Sequence, residues 1–178
     1  MIKDYFPIIG LYLFYQFFSK FLEKIAYFRL INYLDKRKLF ASNQYGFRKN
    51  RSTSLALLYL YDKITAAAVD EGKYTAGLFL DLSNAFDTVD HSILLGKLEH
   101  YGIRGLALEW VKSYLCKRLQ YVEFSGVSSS HKEILCGVPQ GSVLGPLFFL
   151  IYICHLSNLY DLVLFADDIN LFFSHNDI

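Results

Sequence analysis

The sequence predicts an α+β fold, an antiparallel sheet with helices packed on one face. Three observations point there. Apolar residues recur at helical spacing, as at positions 22, 25, 26, 30, 33 and 34. Between such stretches lie short apolar runs bounded by turn residues, with TAGLFLDL (75–82) the clearest. Finally, LQYVEFSG with SHKEILCG, and DLVLFADDINLFF by itself, have the form of hairpins, which pair antiparallel. A chain of 178 residues, 53% of them apolar, has ample material for one core.

Taken in order, Tyr5 to Phe18 carries no charge, but its 14 residues include Pro7 and Gly10. About 18 apolar residues are needed to span a bilayer, and no small-residue cleavage site follows. A buried or poorly ordered N-terminal segment without a membrane role is therefore expected. Ser19 caps a helix running to Asp35, and a basic loop spans Lys36 to Arg51. Ser52 or Thr53 caps a second helix, LALLYLYDKITAAAVDE, which Gly72 stops. TAGLFLDL reads as a buried strand ending at Asp81. Asp90 caps a helix through Leu98 to Gly102, and Leu106, Trp110, Val111, Tyr114 and Leu115 mark another. The strand pair follows, then the turn GVPQG, an apolar helix from Ser142 to Leu156, and a hairpin with Ala166 and Asp167 at its tip. Three regions result: an atypical apolar segment (1–18), a basic helical region (19–73) and a sheet-bearing region (74–178).

Charge is unevenly spread. Residues 1–60 hold 10 Lys or Arg against 3 acids, a net +7, and residues 61–178 hold 8 against 14, a net −6. A basic lobe beside an acidic one suits phosphates handled with cations. Cys116, Cys136 and Cys154 are too few and scattered for a disulfide framework, and Cys154-His155 lacks zinc-site spacing. A reducing, intracellular setting is expected; nucleus and cytoplasm are not distinguished, Lys36-Arg37-Lys38 being the single targeting-like cluster.

LVLFADDINLFF (162–173) sets two adjacent aspartates in an apolar stretch. Burying an unpaired carboxylate costs several kcal/mol, and two side by side repel. A bound cation removes that cost, so Asp167 and Asp168 read as half of a metal site. Asp81, at the end of a neighbouring strand but 86 residues upstream of Asp167, supplies the third carboxylate.

Four ordered blocks carry a resemblance: QYGFRKNRST (44–53), FLDLSNAFDTVDH (79–91), GVPQGSVLGP (137–146) and FADD (165–168). From about Ser19 to Phe173 the chain resembles the reverse transcriptases of non-LTR retrotransposons of jockey-like and related lineages. The resemblance implies the fingers and palm of a right-hand polymerase, acting as an RNA-directed DNA polymerase on an RNA template, a DNA primer and dNTPs. It also implies two Mg²⁺ ions, with Mn²⁺ able to substitute. Asp81, Asp167 and Asp168 would be catalytic and, with Leu82, would hold the metals. Phe86 would stand under the incoming sugar and exclude a 2′-OH, while Gln140 and Gly141 would line the nucleotide pocket. Arg48 and Lys49 would face the triphosphate, and Arg51 and Pro139 the template, although each basic residue is equally at home as a solvated surface charge. Asp87 and Asp90 read as turn and cap residues, and Tyr45 and Phe47 as core.

The family's tyrosine-arginine-proline-isoleucine block reads Tyr5-Phe6-Pro7-Ile8 here, Asn84 stands where lysine is common, and Cys154-His155 where Asn-Asp is common. No metal ligand is lost. Sequence for the last palm elements, the thumb and the endonuclease does not accompany these blocks. This suggests a truncated copy with weak or no activity alone, whose thumb or endonuclease, if any, would come from a partner. The competing expectation is an inactive remnant that at most binds RNA.

Overall fold

The computed structural model describes residues 5–67, 72–158 and 162–176. α1 (Tyr5–Lys36) is one uninterrupted helix. Ser19 therefore lies in mid-helix and caps nothing. Pro7 falls in the first turn, where its missing N–H has no intrahelical acceptor in any case. Burial of this segment does not extend to Tyr15, Phe17 and Phe18, and farther along the helix Phe21 and Phe28 are exposed as well. Its later part reaches the core, through Leu34, and among the described residues no helix is long and apolar enough to cross a membrane.

α2 (Thr53–Thr65) begins where the sequence predicts, with the Ser52 hydroxyl accepting from the Leu55 N–H. The expected stop at Gly72 follows a stretch outside the described residues. β1 (Tyr74–Asp81), β6 (Leu162–Phe165) and β7 (Asp168–His175) form an antiparallel sheet in the order β1-β7-β6. β1 was expected to be buried, yet nearly all of it is exposed, and Phe79 retains 66% of its accessible surface. It is one edge of the sheet; α2 packs over the other edge strand, β6, through Ala56 and Val163. Leu162, Leu164 and Ile169 cover the opposite face with Leu82 and Leu156.

α3 (His91–His100), α4 (Leu106–Leu115) and α5 (Gly145–Ile153) build the main core. Leu94 and Leu98, Val111 and Leu115, and Leu147, Phe148 and Ile151 meet there almost without exposure. α5 is apolar all round because it is enclosed all round. It starts later than Ser142, whose hydroxyl instead accepts from the Gly145 N–H. Each fully buried side chain of this size contributes about 1.5–3 kcal/mol of transfer free energy. The predicted strand pair is broken into two pieces: β2 (Leu119–Gln120) pairs with β5 (Lys132–Glu133), and β3 (Glu123–Phe124) with β4 (Val127–Ser128). Ser125 and Gly126, both at positive φ, close β3 and β4 in a tight two-residue turn, and a one-residue shift of register separates that pair from β2 and β5.

Asp90 caps α3 as expected, accepting from the Ser92 and Ile93 N–H groups and the Ser92 hydroxyl. These bonds, led by the Ser92 hydroxyl, hold its carboxyl pKa below the ordinary value. The resulting stability is present above the unfolded carboxylate pKa of about 4 and is lost as pH falls through the lower folded value. A thermal-unfolding series from pH 7 to pH 2 is expected to show Asp90→Asn, which keeps a neutral capping oxygen, converging on wild type at the acid end. Parallel curves at every pH would show that the Asp90 charge contributes nothing.

Candidate active site

The sheet register brings two of the predicted carboxylates together. Asp81, the last residue of β1, lies directly opposite Asp168, the first residue of β7. Directly opposed residues of an antiparallel pair project to the same face, with Cβ atoms about 4.5–5.5 Å apart. Both are exposed, because Ile169 takes the inward position and Asp168 the outward one. The apolar run around them thus does not bury them as expected; alternation divides it between two faces. They line one cleft of about 410 Å³ with Thr53, Leu57 and Phe165. No ion pair among the described residues reaches either carboxylate. Opposed like charges destabilise a strand pair, an effect a bound cation would reverse.

Asp167, half-buried in the hairpin turn, does not converge with them. Among the described residues no group of three or more His, Cys, Asp or Glu side chains is placed to hold a metal ion. Oxygen donors nevertheless suit Mg²⁺, which is bound through one or two carboxylates and completes its shell with water and phosphate. By donor chemistry the Asp81–Asp168 pair fits such an ion. The Leu82 carbonyl accepts from the Ala85 N–H and so closes the turn after β1.

The turn that carries Asp167 is fixed from the other end of the sequence. Asn43 and Tyr45 bond the β6 backbone: the Tyr45 N–H donates to the Leu164 carbonyl and the Leu164 N–H to that of Asn43. Between them Gln44, buried to 3% exposure, points its amide at the tip. Its oxygen accepts from the Ala166 N–H at 3.0 Å and the Gly46 N–H at 2.7 Å, and its Nε2 donates to the Ala166 carbonyl at 3.2 Å. Ala166 needs such support, being a non-glycine residue at φ 56°. Gly46 is required by proximity: a Cβ there would sit 2.1 Å from the Ala166 nitrogen. Nothing in the sequence singled out Gln44 for this role.

Phe86, Pro139, Gln140 and Gly141 line a second cleft of about 270 Å³. The segments meet because the Gly137 N–H donates to the Val89 carbonyl and the Val138 N–H to that of Phe86. Phe86 stacks on Phe149 at 4.6 Å, with Phe47 edge-on at 6.0 Å. Phe47, expected in the core, is half exposed at positive φ. The Gln140 amide donates to both Asp87 oxygens at 3.1 Å, giving Asp87 more than a turn-residue role. α1 braces the same loop, with Lys20 donating to the Gly141 carbonyl and buried Glu23 accepting from the Val143 N–H. Neither contact was legible, since the helical pattern says nothing of its distant partners. Gly141 has φ +68° and open space around it, so its conformation, rather than a close approach, calls for glycine.

The basic loop divides. Arg48 lies over the Phe40 ring, donates to the Ala41 carbonyl and pairs with Asp35 at 3.7 Å. Burial lowers its pKa, with Asp35 opposing. Its described contacts are thus those of a structural pin, a role the sequence did not suggest. Lys49 is exposed, and Arg51 lies over the Tyr45 ring at 4.9 Å. Tyr45 itself is buried, as expected.

Residues 12–178 match the family described as reverse transcriptase (RNA-dependent DNA polymerase). The chain is 37% identical over 134 residues to the RNA-directed DNA polymerase from mobile element jockey of Drosophila melanogaster, covering 75% of this chain and 14% of that protein. It is 32% identical over 174 residues to the probable RNA-directed DNA polymerase from transposon BS, and 32% over 164 residues to that from transposon X-element, both from the same fly. Those matches cover 89% and 85% of this chain, and 18% and 17% of the relatives. The chain thus spans less than a fifth of these relatives' length. Among solved structures, telomerase from Candida albicans, in complex with a fragment of telomeric RNA, superposes with a TM-score of 0.60 at 17% identity. That match covers 87% of this chain and 30% of the telomerase, and it shows a shared fold.

Proposed function

Since this chain belongs to the reverse transcriptase (RNA-dependent DNA polymerase) family, in its jockey-like non-LTR retrotransposon branch, we propose that it forms the fingers and palm that add dNTPs to a primer on an RNA template. The observation carrying this reading is the register that sets Asp81 opposite Asp168, with Asp167 in the adjoining turn. Asp81 and Asp168 would hold Mg²⁺, with Asp167 beside them. Bound there, Mg²⁺ supplies charge neutralisation for the attacking and leaving oxygens of phosphoryl transfer.

The chain's own residues do the rest. Phe86, fixed between Phe149 and Phe47, presents a rigid ring to the cleft it shares with Gln140, and a ribose 2′-OH would collide with it. Gln140, with its amide turned toward Asp87, lines the cleft, and Gly141 shapes the turn. Lys49, together with Arg51, is the basic-loop group left to meet phosphate, since Arg48 is committed internally. Pro139 would border the template. The lack of carboxylate convergence among the described residues favours one other reading: RNA binding without catalysis.

Primer extension on an RNA template separates the two. With Mg²⁺ or Mn²⁺ the wild-type chain is expected to give weak but measurable extension of the primer, with dNTPs preferred over NTPs. Phe86→Val should narrow that discrimination by about 10-fold or more, one lost steric exclusion being worth at least about 1.4 kcal/mol. RNA binding with no extension in either metal would establish the non-catalytic reading.

A further inference from the structure

We infer that Gln44 is a positioning residue that holds the carboxylate turn in register, an inference resting on the polymerase reading of that site. A single buried amide answers both backbone groups of Ala166, the residue immediately before Asp167. Its oxygen also ties the Gly46 N–H, so one side chain joins the 44–46 segment to the tip in three bonds. No other neutral side chain of this length offers both a strong acceptor and a donor: ionised Glu lacks the donor, Asn is one methylene shorter and Met has only a weakly accepting sulfur. The turn gains more than rigidity. Ala166 at φ 56° reverses the chain between Phe165 and Asp168, which are themselves paired, so its conformation sets where Asp167 stands and where β7 begins. With the amide removed, three backbone groups in a buried corner, two of Ala166 and one of Gly46, lose their partner, and the turn can relieve that only by moving outward. The Asp81–Asp168 pairing begins one residue beyond Asp167, so such movement reaches the carboxylates directly.

Outer contacts that orient metal-holding groups are typically worth 10–100-fold in metal affinity. On the whole chain, Mn²⁺ binding followed by electron paramagnetic resonance and amide exchange followed by NMR test the inference. Gln44→Met is expected to weaken Mn²⁺ binding about 10-fold and to lower Ala166 amide protection at least as much. The control is Asn43→Ala, which removes the neighbouring 2.7 Å bond to the Leu162 carbonyl without touching the turn. It should lower the melting temperature yet leave Mn²⁺ affinity within about twofold. Equal weakening by both variants would mean that Gln44 acts only through general stability, and an unchanged Gln44→Met would overturn the inference outright. Should that variant not fold, wild type decides: Ala166 and Gly46 amides exchanging at unprotected rates would overturn the clamp. Wild type that binds no Mn²⁺, combined with lost Ala166 protection in Gln44→Met, would overturn the metal reading and uphold the clamp.

Discussion

Replacing Asp81 by Asn is expected to abolish primer extension while leaving the fold as stable as wild type, or slightly more stable. Asparagine occupies nearly the same volume on the same exposed edge, so packing is undisturbed. It removes one of two carboxylates that face each other across β1 and β7. Without metal, relief of that repulsion contributes up to about 1 kcal/mol, or a rise of roughly 2–4 °C in melting temperature for a chain of this size. With metal, the same change takes away half of the anionic pair. Loss of one preorganised electrostatic contact to the transition state commonly costs about 10³-fold, on the order of 4 kcal/mol. Opposite signs for activity and stability are the signature of a site built for function at the expense of the fold. Extension surviving within about 10-fold, or a melting temperature falling by several degrees, would remove Asp81 from the catalytic set.

Gly46→Ala is expected to be the most damaging single methyl that the chain can receive near the site. The new carbon would stand 2.1 Å from the Ala166 nitrogen, 2.7 Å from its Cα and 2.9 Å from its Cβ. Two of these three atoms are backbone, so no rotamer change can relieve the overlap. Either the 44–46 segment must lift off β6 or the hairpin tip must move. Overpacking typically costs about 1–3 kcal/mol, and backbone collision belongs at the top of that range, equivalent to a melting temperature lower by roughly 6–12 °C. Thermal unfolding by circular dichroism checks it. A variant melting within about 2 °C of wild type would mean that the two segments are not held this closely in solution.

The parts of the fold that were legible were those set by local chemistry. Ser52 and Asp90 announce helix starts through oxygens that accept nearby N–H groups, and the FADD turn lies between two apolar runs that pair as expected. Exposure was less legible. TAGLFLDL has the apolar content of a central strand, but its place at the sheet edge depends on which elements pack over it, and its own residues do not encode that. Ser19 is a good cap by type, yet the preceding residues continue the same helix, and a cap is needed only where a helix begins. Residue roles that depend on distant partners were hidden altogether. Arg48 reads as a phosphate contact until Asp35 and Phe40 are seen beside it, and Asp87 as a turn residue until Gln140 meets it. The opposition of Asp81 and Asp168 follows from strand pairing, but where Asp167 stands depends on turn geometry, and among the described residues no three carboxylates come together.

The bond between Gln44 and Ala166 joins residues 122 positions apart. A ribosome finishes residues 43–46 long before it reaches the hairpin they must grip, and the helices of the main core are made in the interval. Contacts of such long range are entropically costly to close and are rewarded only after the intervening chain has collapsed. The turn bearing the carboxylates therefore takes its final shape only once the chain has brought these distant segments together. A newly made chain can bury its core around α5 while its chemistry is still unassembled.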